Sequence, residues 1–298
     1  MREKLKKSSY YHHFGDSNMT VINAMKFNEN EGGMVADSQS SGGGRKYDFA
    51  DKVESAQSKD GTTVLFGGAG PADFLHEVNT ILRKKLAERG NYDVEEVARL
   101  LSEISCALKR DKINVHLKST FGIDATKALS GEGVGQNLLP QVKDVLTGQG
   151  MGMFQGEYVL IGKDKTGVKI YEIYLANSPA LVARPYSSTG SGIDESDKVL
   201  YKFALGLGRE ERQNIPFVKG MAALINATNA SSDFNQGVGG VPTISYFNDG
   251  KIVFLDEESS RLATEIVRVG EIGLIRAESA NESLEVLLRK TSECDLIE

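Results

Sequence analysis

The spacing of the apolar residues switches repeatedly along this 298-residue chain, and the order of those switches restricts the fold more than any single motif does. From Thr20, short segments read as strands: TVINAMKF, GGMVADS, DKVESAQ and TTVLFGGAG. The turn-rich NENEGG joins the first two, SSGGGRKYD reads as a Gly/Ser loop, and SKDG is the turn between the last two. The spacing then becomes helical. PADFLHEVNTILRKKLAERG places Phe74, Leu75, Val78, Ile81, Leu82 and Leu86 on one face, with Gly90 as its stop. DVEEVARLLSEISCALKRD follows as a second amphipathic helix, and Asp93 with Glu96 forms a capping box.

Residues 111–150 read as an irregular excursion, with His116 in a strand-like patch and one short helical patch, LLPQVKDVL. Beyond it, GEYVLIGKDKTGVKIYEIYL is a hairpin that turns at KDKTG. DESDKVLYKFALGLG and IPFVKGMAALINATNASSD are two more helices, and VPTISYFNDGKIVFL is a hairpin closed by Asp249-Gly250. A C-terminal extension from about residue 258 is mixed, with helical stretches around SRLATEIVRV and ANESLEVLLRK. Strands, two helices, strands, two helices, strands: two antiparallel sheets packed face to face, with a helix pair outside each, satisfy this order. The expected fold class is therefore α+β, a four-layer αββα sandwich over residues 20–298. A doubly wound parallel sheet would need strands alternating singly with helices, which the pattern lacks. Residues 1–19 have no usable periodicity and read as a leader with four cations (Arg2, Lys4, Lys6, Lys7) and two acids (Glu3, Asp16).

Composition removes several classes of function. Apolar residues make up 40% and charged residues 26%, which is ordinary for a globular protein. A net charge of -6 argues against a general nucleic-acid binder. No apolar run approaches the roughly 18 residues that would suggest a membrane span. The basic opening MREKLKKSSYYHHF is not followed by a signal-peptide core. The expectation is a cytoplasmic protein, with Cys106 and Cys294 as lone thiols in a reducing compartment. His12, His13, His76 and His116 do not pair with cysteine at metal spacing, and no G-x-S-x-G elbow is present. SGEGVGQNL and TGQGMGMFQG lack the Lys-Ser/Thr ending of a phosphate loop and read as flexible loops. No metal or cofactor is expected.

Read forward from Thr20, the motifs fall in a recognisable order. TVINAMKF, GGMVADSQSSGG, DKV and GGAGPAD are followed further on by STGSG and ATNASSDFNQGVGG. In residues and order this resembles the β-type subunits of the proteasome and their bacterial relatives, the N-terminal threonine (Ntn) hydrolases, over roughly 20–110 and 155–255. The resemblance implies that Thr20 is the nucleophile, Asp37 and Lys52 are its active-site aspartate and lysine, and Ser191 and Asp233 complete the set. It also implies oxyanion-binding N–H groups at Ala69-Gly70 and a substrate pocket that includes Ala50, Glu54 and Gly67. The sequence departs from the family at several places: Val21 follows Thr20, Met19 stands where processed members usually have glycine, Gln236 replaces the serine expected after Asp233 with the GVGG run after it lengthened, and the excursion at 111–150 is longer than the family's usual link. Each site residue also has a plain structural role. Thr20 can simply begin a strand, Asp37 cap a turn, Lys52 sit solvated, Ser191 serve a Gly-flanked turn and Asp233 end a helix.

The chemistry implied is that of a threonine-type peptidase. A threonine hydroxyl needs a nearby base, and a first-residue threonine carries one in its own α-amine, whose reference pKa is about 7.7–8.0. Lys52 would lower that pKa by like-charge repulsion, and Asp37 would hold Lys52 in place. The amine exists only if residues 1–19 are absent, either because the chain cuts itself at Met19–Thr20 or because Met19 is the true start and is trimmed. The resemblance further implies a peptide or protein substrate, a homo-oligomer such as a ring, and an ATP-driven unfoldase as candidate partner. Rival readings are an amidase or peptide ligase on the same fold, and a catalytically inactive structural subunit.

Overall fold

Alternation along the strands decides how the layers stack. The computed structural model describes residues 20–42, 45–47, 51–59, 61–88, 90–130, 134–147, 156–174, 178–248 and 250–294. The leader 1–19 with Met19, His12 and His13, and also Ala50 and Asp249, lie outside the described residues. One sheet has the order β10 (Tyr186–Thr189), β1 (Ile22–Lys26), β2 (Gly32–Ala36), β11 (Thr243–Asn248), β12 (Lys251–Phe254). The other has the order β5 (Val53–Gln57), β6 (Thr63–Ala69), β7 (Glu157–Asp164), β8 (Gly167–Tyr174), β9 (Ala180–Leu181). Every neighbouring pair is antiparallel.

Ile22 and Ala24 of β1 and Met34 and Ala36 of β2 face inward, against Val53, Leu65, Val159, Ile161 and Ile170 of the second sheet. The residues between them turn the other way. Met25, Val35, Ile244 and Tyr246 pack outward under α5 (Ile193–Gly206), α6 (Phe217–Phe234), α7 (Glu257–Glu271) and α8 (Ala277–Cys294). On the second sheet, Val64, Phe66, Leu160 and Tyr171 pack under α1 (Ala72–Glu88) and α2 (Val94–Phe121). The fold is thus the α+β, four-layer αββα sandwich that the strand and helix order predicts. Each fully buried Val, Leu, Ile or Phe contributes about 1.5–3 kcal/mol, so sheets covered on both faces carry most of the stabilisation. The C-terminal helices belong to the same packing, since Ala263, Val267, Leu284 and Leu288 join the apolar cluster around α6.

Several local expectations are corrected. The Gly/Ser loop holds a two-stranded ribbon, β3 (Ser40–Gly42) with β4 (Arg45–Tyr47). The left-handed residue after α1 is Asn91, with φ 68°, not Gly90. Residues 111–150 are mostly helical. The second helix continues through His116 to Phe121, where Gly122 closes it in the left-handed region with its N–H on the Lys118 carbonyl. Two short helices follow, α3 (Ala125–Ser130) and α4 (Leu139–Thr147). The physical reason is visible in the spacing of Ile113, Leu117 and Phe121, four residues apart on one face. Ile113 and Leu117 gather Ile123, Ala128, Val142 and Val145 into a satellite cluster separate from the three clusters of the sandwich. That separation predicts the response of Leu117→Ala. Amide exchange should accelerate across 125–147 well before it does in β6 or β7, as followed by hydrogen-exchange mass spectrometry.

Candidate active site

The chain enters β1 along a buried carboxylate. Asp37 follows β2 directly and is 1% exposed. Its Oδ1 accepts from the Val21 N–H at 2.9 Å and from Lys52 Nζ at 2.8 Å. Its Oδ2 accepts from the Gly239 N–H at 3.3 Å. The Gly239 carbonyl in turn accepts from the N–H groups of Ser38 and Gln39 at 3.1 and 2.9 Å. Lys52 lies just before β5, with its side chain 9% exposed. One carboxylate therefore joins the first sheet, the start of the second, and the loop after α6. Burial raises the pKa of Asp37 against the opposing effects of Lys52 and the two N–H donors. Burial likewise lowers that of Lys52, against the attraction of Asp37.

On the other side of Thr20 stands the turn after β10. Thr20 is buried, and its N–H donates to Ser191 Oγ at 3.2 Å. In the uncleaved chain this nitrogen is the Met19–Thr20 amide; cleavage would leave it as an α-amine. The Thr20 carbonyl accepts from the Gly192 N–H at 3.1 Å. Glycine is required between them, since Gly190 has φ +99° and a Cβ there would lie 2.1 Å from the Thr20 oxygen. Two residues from α6 and its end hold the turn: Ser231 Oγ donates to the Gly192 carbonyl at 2.8 Å, and Asn235 Nδ2 donates to the Ser191 carbonyl at 3.3 Å.

The structure thus brings Thr20, Asp37, Lys52 and Ser191 together and leaves Asp233 out. Asp233 is exposed and pairs with Arg268 of α7 at the surface. The helical period explains this. Thr228, Ser231 and Asn235 recur at three and four residues on the inner face, and a residue two beyond Ser231 points away. Sequence reasoning missed Ser231, Asn235 and Gly239; the signal for the first two was the polar spacing Thr228, Ser231, Asn235 on one helical face. Ala69 closes β6 and Gly70 opens the turn into α1. Gly67 sits against the site, where a Cβ would meet the Lys52 carbonyl at 2.7 Å and Ile22 at 3.0 Å. Glu54 turns instead toward α1, accepting from Asn79 at 2.7 Å and pairing with Arg83. A groove of about 1500 Å³, lined by Lys26, Arg184, Asp197 and Arg209 among others, lies at the far end of β1 from Thr20.

The two stacked sheets and the helices outside each define a four-layer αββα architecture. Solved structures with the same fold include Anbu (ancestral β-subunit) from Yersinia bercovieri, 14% identical at a TM-score of 0.57 over 87% of this chain and 97% of that one. A Gly-1 mutant of Anbu from Hyphomicrobium sp. strain MC1 is 12% identical at 0.57, over 87% and 96%. The helical assembly of the Anbu complex from Pseudomonas aeruginosa is 14% identical at 0.58, over 85% and 93%. At these identities the likeness is one of fold. No family profile and no curated protein matches the chain. Among the described residues, no group of His, Cys, Asp and Glu could hold a metal ion, and no helix is long and apolar enough to cross a membrane.

The buried pair gives a stability prediction. Asp37→Ala removes the carboxylate that offsets a nearly buried ammonium, and breaking such a pair costs about 3–5 kcal/mol. Equilibrium urea unfolding should show that loss, with part of it recovered in the Asp37→Asn/Lys52→Met double variant.

Proposed function

We propose that this chain is a threonine-type peptidase whose nucleophile is Thr20 Oγ1 and whose general base is the α-amine freed at Thr20 when residues 1–19 are removed. The observation that carries the proposal is the position of the Thr20 nitrogen. It is hydrogen-bonded to Ser191 at 3.2 Å and lies one residue from Val21, whose N–H shares an oxygen of Asp37 with Lys52.

The steps follow from that arrangement. The neutral amine takes the proton from Thr20 Oγ1 as the oxygen attacks the scissile carbonyl carbon. The negative charge moves to the carbonyl oxygen, for which backbone N–H groups at the Ala69-Gly70 end of β6 are the candidate donors; losing one such donor typically costs about 3–4 kcal/mol. Collapse breaks the C–N bond, and the ammonium at Thr20 returns its proton to the leaving amine. Water, deprotonated by the same amine, then cleaves the ester and regenerates the threonine. Lys52 keeps the amine neutral by repulsion, Asp37 fixes Lys52, and Ser191 orients the amine. Asp233 has no part in this scheme; Asn235 supports the Ser191 turn instead. The substrate is a peptide or unfolded protein. The Pseudomonas aeruginosa protein is described as a helical assembly, and we extend self-association to this chain. An ATP-driven unfoldase is the partner class that such a peptidase would use.

Turnover of fluorogenic peptides by the matured protein tests the reading. Thr20→Ala should abolish it, and an equally active Thr20→Ala variant would defeat the proposal. Adding an amine nucleophile separates hydrolysis from ligation: carboxylate products mark the peptidase, amide products the ligase. The pH profile gives a further check. The reaction needs Lys52 protonated, and burial lowers Lys52 from the usual lysine value of 10.5. The alkaline limb of kcat/KM should therefore fall below that value.

A further inference from the structure

The scheme above leaves unused one carboxylate tied to the turn that contacts Thr20. Thr189 of β10 is opposite Ile22 of β1, and Ile22 faces the space between the sheets. Residues directly opposite in an antiparallel pair share a face, so Thr189 faces that space too. Across it, Val159 and Ile161 of β7 point inward, and Glu157, two residues before Val159, shares their face. The two side chains meet, with Thr189 Oγ1 donating to Glu157 Oε2 at 3.1 Å. Thr189 is followed by Gly190, the residue that fits against the Thr20 carbonyl. Glu157 is also opposite Ala69, at the end of β6. It therefore stands where the turn that contacts Thr20 and the end of β6 approach each other.

The charges nearby single it out. Asp37 is paired with Lys52, and Glu172 of β8 is paired with Arg184 while accepting from Ser187. Glu157 is exposed, and none of the lysines or arginines among the described residues forms an ion pair with it. Its second carboxylate oxygen is left for a donor from outside the chain. We propose that Glu157 is a specificity-determining residue that selects a cationic side chain, lysine or arginine, next to the peptide bond being cut. The inference rests on the Thr20 reading of the site and adds the substrate class to it. A charge-assisted hydrogen bond of this kind favours the cation by about tenfold or more.

The test uses the matured protein and peptides carrying Lys, Leu or Glu at each of the two positions on either side of the scissile bond. At one of these positions kcat/KM for the Lys peptide should exceed that for the Leu peptide by about tenfold, and the ratio should shrink as salt is added. Glu157→Gln keeps an acceptor for Thr189 and removes the charge, so the ratio should approach one. Glu157→Lys should invert the preference in favour of the Glu peptide. A ratio that is the same in the wild type and both variants overturns the proposal, and so does an equal loss on all three peptides. Binding of the same peptides to Thr20→Ala protein, by fluorescence anisotropy, separates the two claims. If no peptide is cleaved but Lys peptides bind better and Glu157→Gln abolishes that preference, the Thr20 chemistry fails and the selection stands. If binding shows no preference, the selection fails.

Discussion

One carboxylate holds the entry to the sandwich. Asp37 collects Val21 from the start of β1, Lys52 from the approach to β5, and Gly239 from the loop after α6. Burying a carboxylate and an ammonium carries a desolvation cost of several kcal/mol per ion, and only close pairing with further hydrogen bonds offsets it. Asp37 meets that condition with three donors. As a result the backbone at Thr20–Val21 has a fixed position at the edge of an apolar interior shared by the two sheets.

The glycines near Thr20 serve the same end by letting backbone approach backbone. At Gly190 a side chain would overlap the Thr20 carbonyl, and at Gly192 a Cβ would lie 3.0 Å from both Val21 and Val238. The turn 189–192 therefore closes on Thr20, and its N–H at Gly192 satisfies the Thr20 carbonyl. Thr20 lies between a charged side, Lys52 with Asp37, and a polar side, Ser191 with Asn235 behind it. Beyond the polar side stands Glu157, tied to the same turn through Thr189.

The layers of the fold were legible because sheets buried on both faces leave a clear alternation. In β6, Leu65 faces one sheet while Val64 and Phe66 face the helices, and that difference is written in consecutive residues. The far half of α2 was not legible, because Lys112, Asn114, His116 and Ser119 dilute the apolar spacing of Ile113 and Leu117. β10 escaped notice for another reason. Its four residues, YSST, include the strand formers Tyr186 and Thr189 but show no apolar alternation, and they are ordered by pairing with β1. Thr20, Asp37, Lys52 and Ser191 could be placed from motif order, since each sits in a short segment with a fixed geometry. Asp233 could not, because on a helix an offset of two residues reverses the face, and Asn235 is the residue that reaches the Ser191 turn.

The role of Thr20 as an N-terminal nucleophile is tested most directly by mass spectrometry of turnover-competent protein treated with a β-lactone, which threonine oxygen opens to an ester. The arrangement of Thr20, Ser191, Asp37 and Lys52 predicts an intact mass without residues 1–19, increased by one probe, with the adduct mapped to the peptide that begins at Thr20. Turnover by protein that retains residues 1–19, or an adduct on any other residue, would contradict it.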